Sequence, residues 1–382
     1  MSRSANNGPG GPIDWELAQR VAARFARRQP FAAAASSFEL TASYTALTDR
    51  AEAEVAAHTG LASLAGPARA RVTDRPGWVD ANLASFQRLL HPLIERFVVD
   101  EGTGEPERPG GRLSGTWQRA SAKASGAQLG ALLGWMSTRV LGQYDLLVIE
   151  DQRADEQDLV YYVGPNLLAM ERRYAFPPQE FRFWVALHEC THRAQFTGVP
   201  WLRGYFLEQV QGLLGSLDPD PNRLLEALKR TVTEVRAGER PLERGGLAAV
   251  LATPEQRQVL ERLSGLMSLL EGHGEVVMNR AGAGSVPSAW RFEQVLRNRR
   301  EAARGFSRLL SRLVGLEAKL NQYAEGERFI TAVEAKGGRD LFDQVWAGPQ
   351  NVPTLAEIRE PRKWIERVDG SGASEDPSTP AR

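Results

Sequence analysis

The composition of the chain indicates a globular protein with no net charge. It has 382 residues, of which 42% are hydrophobic, so it can bury a substantial core. Its 47 basic and 47 acidic residues cancel, which argues against binding to nucleic acid or to an anionic membrane through overall charge.

The single cysteine and the absence of long apolar runs predict an intracellular location. Cys190 is alone, which excludes an internal disulfide and a four-thiolate zinc site. The N-terminal segment MSRSANNGPGGPIDW has no apolar run of signal-peptide length, and nowhere do about 18 apolar residues follow one another. We therefore expect a cytoplasmic protein with no membrane partner.

Helical periodicity dominates the first part of the chain. We expect one domain over residues 13–368, between disordered ends at 1–12 and 369–382 that are rich in Gly, Ser and Pro. The first predicted helix begins at Trp15, and the second runs over 40–61. A third follows Arg75-Pro76-Gly77 and ends near Phe97, and a fourth runs over 117–141 after a Gly/Pro-rich loop at 101–115.

Two strands are predicted, at 145–150 (DLLVIE) and 158–163 (DLVYYV), and we expect them to form a small hairpin. The second strand either aligns an extended peptide substrate or is a covered structural strand. The remaining predicted helices lie at about 167–175, 178–197, 200–217, 221–237, 254–280, 290–313, 316–335 and 338–346. The predicted fold class is therefore mainly α, with a small β-hairpin or sheet.

The segment His188-Glu189-Cys190-Thr191-His192 predicts a metal site on the helix at 178–197. Because His188 and His192 are four residues apart, their imidazoles lie on one face and can hold one Zn²⁺ at about 2.0–2.1 Å. Glu189 then flanks the ion and can take a proton from a zinc-bound water, whose pKa falls to about 7. The alternative is a pair of core histidines without a metal.

A catalytic zinc site of this type needs a third protein ligand. The metzincin pattern would require Gly at position 195 and His at position 198, where this chain has Gln195 and Gly198. The best source is the predicted helix over 263–278, on which Glu271 continues a buried stripe. A bare carboxylate is costly there without a metal or a cationic partner. We therefore favour Glu271 as the third ligand.

Two neighbours of Glu271 offer other roles. His273 is the alternative ligand, although it lies about 200° around a regular helix from Glu271. Glu275 is one turn beyond Glu271 and could accept a hydrogen bond from the free ring nitrogen of a ligand histidine. Gly272 and Gly274 would let another helix approach closely.

Six segments together resemble a family of zinc-dependent metalloproteases of undefined substrate, often labelled as associated with biosynthesis of the deazaflavin coenzyme. The segments are IDWELAQRVAARF (13–25), DRPGWVDANLASF (74–86), GAQLGALLGWMSTRVLGQYDLL (126–147), FRFWVALHECTHRAQFTGVPWLR (181–203), LMSLLEGHGEVVMN (266–279) and GLEAKLNQY (315–323). The resemblance implies a zincin-like, mainly helical fold. It also implies His188 and His192 as zinc ligands, Glu189 as base, and Glu271–His273 as the region of the third ligand. The family pattern has Asp at the position of Glu275.

These observations predict a zinc-dependent metallohydrolase that acts as a peptidase on a peptide or protein substrate. One alternative is a non-catalytic, zinc-containing helical interaction module. Another is a small-molecule amidase that uses the same residues. The sequence does not indicate an oligomeric state.

Overall fold

The computed structural model describes residues 11–35, 37–100, 111–146, 158–215, 253–302 and 319–371. The predicted helix at 221–237, most of the two predicted disordered ends and residues 147–150 of the first predicted strand lie outside these ranges. The chain divides into two compact units, Met1–Ala51 with Pro67–Glu189 and Glu52–Gly66 with Cys190–Arg382. The single-domain organisation stays a prediction.

The first unit combines helices with a three-stranded sheet. The strand order is β1-β3-β2, with β1 parallel and β2 antiparallel to β3. Its elements are α1 (Trp15–Ala26), α2 (Ala32–Ala35), the first part of α3 (Phe38–Thr59), β1 (Arg69–Thr73), α4 (Arg75–Asp100), α5 (Gly111–Ser137), β2 (Gly142–Tyr144), β3 (Leu159–Val163), α6 (Gly164–Tyr174) and the first part of α7 (Pro178–Gly198). The mainly α fold with a small sheet is confirmed.

The sheet differs in two ways from the predicted hairpin. The strand at 158–163 is confirmed as β3, but its antiparallel neighbour is β2 at Gly142–Tyr144, so the predicted strand beginning at Asp145 was wrong over its first two residues. The parallel strand β1 was not predicted. Its sequence, RARVT, alternates with arginine, and its partner β3 lies some 90 residues away in register Arg69↔Leu159. Such pairing leaves little local signal.

Helices α1 and α5 pack closely because small residues face each other. Ala18 and Ala22 of α1 are fully buried, and a Cβ at Gly130 of α5 would lie 2.3 Å from the Ala18 carbonyl oxygen. These small residues therefore allow α5 to approach α1 at a distance that larger side chains would prevent.

Helix α5 begins at Gly111, so the loop predicted at 101–115 was wrong over residues 111–115.

The turn between α5 and β2 is held by one buried amide. The Asn166 side chain donates to the carbonyl oxygens of Ser137 (2.8 Å) and Val140 (2.7 Å), and it accepts from Nε of Arg75 at 2.8 Å. Buried polar groups of this kind are stable only when their hydrogen bonds are satisfied. Asn166 thus helps to determine where β2 begins.

The second unit is helical. Its elements are the end of α3, the end of α7, α8 (Leu202–Gly215), α9 (Pro254–Ala281), α10 (Ala289–Ala302), α11 (Lys319–Asp343), the 3₁₀ turns Gln344–Trp346 and Pro349–Asn351, α12 (Leu355–Arg359) and α13 (Pro361–Ser371). Helix α9 begins with a capping box formed by Thr253 and Gln256, and Pro254 is its first residue. The predicted boundary at 254 is confirmed.

Helices α9 and α11 cross at a pair of glycines. A Cβ at Gly272 would lie 2.4 Å from the backbone of Gly326, and a Cβ at Gly326 would lie 1.9 Å from the carbonyl oxygen of Ser268. The close approach predicted for Gly272 is therefore observed. Helix α11 is interrupted at Gly337 and Gly338, which separates the two helices predicted at 316–335 and 338–346.

The segment Glu52–Gly66 is attached to α7 by a buried arginine. Arg193 is 1% exposed, and its guanidinium pairs with the carboxylate of Glu52 and donates to the carbonyl oxygen of Gly66 at 2.7 Å. The backbone N–H of Leu64 also donates to the carbonyl oxygen of Thr197 at 3.1 Å. These contacts hold the segment against the end of α7, which belongs to the second unit.

Candidate metal centre

Helix α7 is one uninterrupted element from Pro178 to Gly198, as predicted to within one residue. A proline stands at its first position, and Glu180 lies in the first turn, where the helix dipole favours a negative charge. His188 and His192 therefore lie one turn apart on the same helix. Both are half-buried.

Glu271 of α9 lies beside His192. Its Oε2 atom is 3.6 Å from Nε2 of the imidazole, and the residue is 7% exposed. One ligand atom from each of His188, His192 and Glu271 can be chosen so that all lie within 4.8 Å of one another. Among the six predicted site residues, these three are brought together by the structure as possible ligands.

The donor set fits a catalytic zinc ion. Two imidazoles and one carboxylate are a known ligand set for such an ion, and they leave the fourth tetrahedral position open. With bonds of about 2.0–2.1 Å, two tetrahedral ligand atoms stand roughly 3.3 Å apart. The 3.6 Å separation of the His192 and Glu271 atoms is close to that value, and the set that includes His188 lies within 4.8 Å.

His273, the alternative third ligand, makes other contacts. Its Nδ1 atom lies 2.9 Å from Nε2 of Gln195, and its ring packs against Phe342 and Trp346 with centroid distances of 5.7 and 5.3 Å. Burial, followed by the charges of His192 and other cations, lowers the pKa of His273 to about 3. A neutral, buried imidazole in an aromatic cluster explains these contacts without a metal.

The ring nitrogen of His192 that does not face Glu271 has a partner that the sequence did not suggest. Its Nδ1 atom lies 3.0 Å from Oε1 of Gln195, which is fully buried. Glu275 is also buried on α9, and its predicted role as hydrogen-bond acceptor for a ligand histidine stays a prediction. Gln195 could have been noticed from its position three residues after His192, on a neighbouring part of the same helix face.

The carboxylate of Glu189 contacts strand β2. Its Oε2 atom accepts a hydrogen bond from the backbone N–H of Tyr144 at 3.1 Å. A Cβ on Gly142 would lie 2.7 Å from Oε1 of the same carboxylate, so any other residue at this position would require the Glu189 side chain to shift. No local sequence signal marks Gly142 or Tyr144, because each is more than 40 residues from Glu189.

Strand β3 pairs along both edges, with β1 on one side and β2 on the other. Its backbone hydrogen-bonding groups are used within the sheet, and its residues are buried. The alternative of a covered structural strand is therefore favoured over alignment of a peptide by β3 itself.

A mainly helical fold whose HExxH-bearing helix lies beside a buried glutamate defines a class of metal-dependent hydrolases. A sequence model of the zincin-like metallopeptidase family matches residues 13–365, and the chain belongs to this family.

The chain is also similar to a crystal structure from Chloroflexus aurantiacus described as "a putative hydrolase with a novel fold". The two are 31% identical with a TM-score of 0.67, and the match covers 94% of this chain and 99% of that one. Among curated proteins, none matches.

Family membership and this structural neighbour support a metallohydrolase in general. The association with deazaflavin coenzyme biosynthesis stays a prediction. Within the described ranges, every helix is too short or too polar to cross a membrane.

Proposed function

We propose that this chain is a zinc-dependent peptidase in which His188, His192 and Glu271 hold one Zn²⁺ and Glu189 is the general base. The observation that carries the proposal is the grouping of two imidazoles and one carboxylate within 4.8 Å. When bound, zinc would polarise the scissile carbonyl and make a water molecule more acidic.

Glu189 supplies the proton transfers. The Tyr144 N–H donates a hydrogen bond to the carboxylate and orients it. The carboxylate takes a proton from the attacking water as the water oxygen bonds to the carbonyl carbon, and it then gives that proton to the leaving amine nitrogen as the C–N bond breaks. The hydrogen bond to the strand restricts the orientations that the carboxylate can adopt before these steps.

Zinc analysis of purified variants, together with cleavage of a peptide library, tests this proposal. We expect about one zinc per chain in the wild-type protein, because the donor set describes a single tetrahedral ion. His188→Ala should lose the metal, and Glu189→Gln should keep it but lose cleavage. The exposed His91 provides a matched control, and His91→Ala should retain both properties.

Other outcomes would contradict particular parts of the proposal. Full zinc content in His188→Ala would contradict the ligand assignment, and undiminished cleavage by Glu189→Gln would contradict the base assignment. Zinc binding without cleavage of any peptide or amide would identify an interaction module. Cleavage confined to small amides would identify an amidase.

A further inference from the structure

The side-chain amide of Gln195 links His192 on α7 to helix α9, which carries Glu271. Its Oε1 atom lies 3.0 Å from Nδ1 of His192. Its Nε2 atom lies 3.1 Å from the carbonyl oxygen of Leu270 and 2.9 Å from Nδ1 of His273. Gln195 is fully buried, so water does not compete for these contacts.

The Leu270 carbonyl determines which way the amide points. A carbonyl oxygen accepts hydrogen bonds and cannot donate them, so the NH₂ group of Gln195 must face it. The opposite orientation would place two acceptor oxygens 3.1 Å apart in a buried position. The second hydrogen of the same NH₂ group is directed at Nδ1 of His273.

This orientation determines the hydrogen on His192. Because the Gln195 oxygen only accepts, Nδ1 of His192 must carry a hydrogen atom. A neutral imidazole that is protonated at Nδ1 has its lone pair at Nε2, and Nε2 is the atom next to Oε2 of Glu271. We infer that Gln195 is a positioning residue that fixes this tautomer and so presents Nε2 of His192 to the metal. The inference rests on the zinc site of the proposed function.

Gln195 also sets the position of the carboxylate ligand. Leu270, whose carbonyl it binds, immediately precedes Glu271 on α9. One amide therefore orients the ring of one ligand and holds the backbone beside another. Partners of this kind, which contact ligands and not the metal, commonly contribute 10–100-fold to metal affinity.

The test uses Gln195→Met, which keeps the length of the side chain and removes the amide. Zinc affinity is measured by competition with a chromophoric chelator, and the histidine tautomers of the metal-free protein are read from two-bond ¹⁵N–¹H NMR spectra. The chain has only five histidines, and His192→Ala assigns the signal. Gln29→Met is the matched control, because Gln29 also uses its amide twice, to Asp74 and to the N–H of Arg75.

We expect His192 to be protonated at Nδ1 in the wild type, and we expect Gln195→Met to lose that preference and bind zinc about 10–100-fold more weakly. The control should match the wild type. Unchanged zinc affinity in Gln195→Met would overturn the inference. An Nε2-protonated His192 in the wild type would also overturn it, even if the variant fails to fold. If the wild type binds no zinc but shows the expected tautomers, the proposed function fails while the contact with Gln195 stands.

Discussion

The carboxylate of Glu189 and the backbone N–H of Tyr144 are joined by a hydrogen bond of 3.1 Å. The glutamate of the HExxH segment is therefore oriented by strand β2 as well as by its own helix. Tyr144 contributes through its main chain, so substitutions of its side chain leave this bond available. Gly142, two residues earlier, contributes by the space that it leaves.

Gly142→Ala should reduce catalysis without removing the metal. The new methyl group would lie 2.7 Å from Oε1 and Cγ of Glu189, so the carboxylate must move. Because a misplacement of about 1 Å can lower a rate by about 100-fold, we expect a fall in kcat of that order. Steady-state kinetics and zinc analysis measure both effects. Gly204→Ala on α8 is the control, since nothing lies within 4 Å of its added methyl group. Unchanged kcat in Gly142→Ala would show that the base tolerates displacement.

Gly326→Ala should destabilise the protein and weaken zinc binding together. Its methyl group would lie 1.9 Å from the Ser268 carbonyl oxygen, which forces α9 and α11 apart at the level of Gly272. Glu271 is adjacent on α9. Overpacking of this kind costs about 1–3 kcal/mol, which urea unfolding would detect. Gly212→Ala, with open space around it, serves for comparison. Wild-type stability in Gly326→Ala would mean that the helices separate without cost.

Substitutions at Glu271 and His273 should separate the two candidate third ligands. Glu271→Gln replaces the carboxylate beside His192 with a neutral amide, and we expect zinc affinity to fall by more than about 100-fold, beyond the usual effect of a residue outside the ligand set. His273→Phe keeps an aromatic ring against Phe342 and Trp346, and it should have the smaller effect. The reverse order in chelator competition would assign His273 as the ligand.

Glu357 should make the second unit sensitive to acid. Burial alone would raise its pKa, but hydrogen bonds from Arg367 and Thr354 lower the pKa below its ordinary value of 4.5. Its contribution to stability is therefore present above about pH 4.5 and is lost as the pH falls through the lowered pKa of the folded state. Urea unfolding of Glu357→Gln should show a smaller loss of stability than the wild type as the pH falls below about 4.5. The exposed Glu366 provides the control variant.

Features that depend on nearby residues were predictable from the sequence. The bounds of α7 follow from Pro178 and Gly198, and the start of α9 follows from Pro254. The position of Glu271 on a buried stripe followed from helical periodicity, and the structure places this residue 3.6 Å from His192.

Features that depend on distant partners were not predictable. Strand β1 requires β3 for its hydrogen bonds, and β2 begins three residues before the predicted strand and ends immediately before it. In the sequence, Gln195 stands out only as a departure from the metzincin pattern. Its role depends on the Leu270 carbonyl, 75 residues away, and no periodicity encodes that contact.

The amide of Gln195 makes the movement of two ligands interdependent. A displacement of α9 would carry Leu270 and Glu271 together, and it would pull on the side chain that orients His192. We therefore expect His192 and Glu271 to leave their positions around the metal together. Any molecule that shifts α9 would act on the metal centre as a whole, without touching the ion.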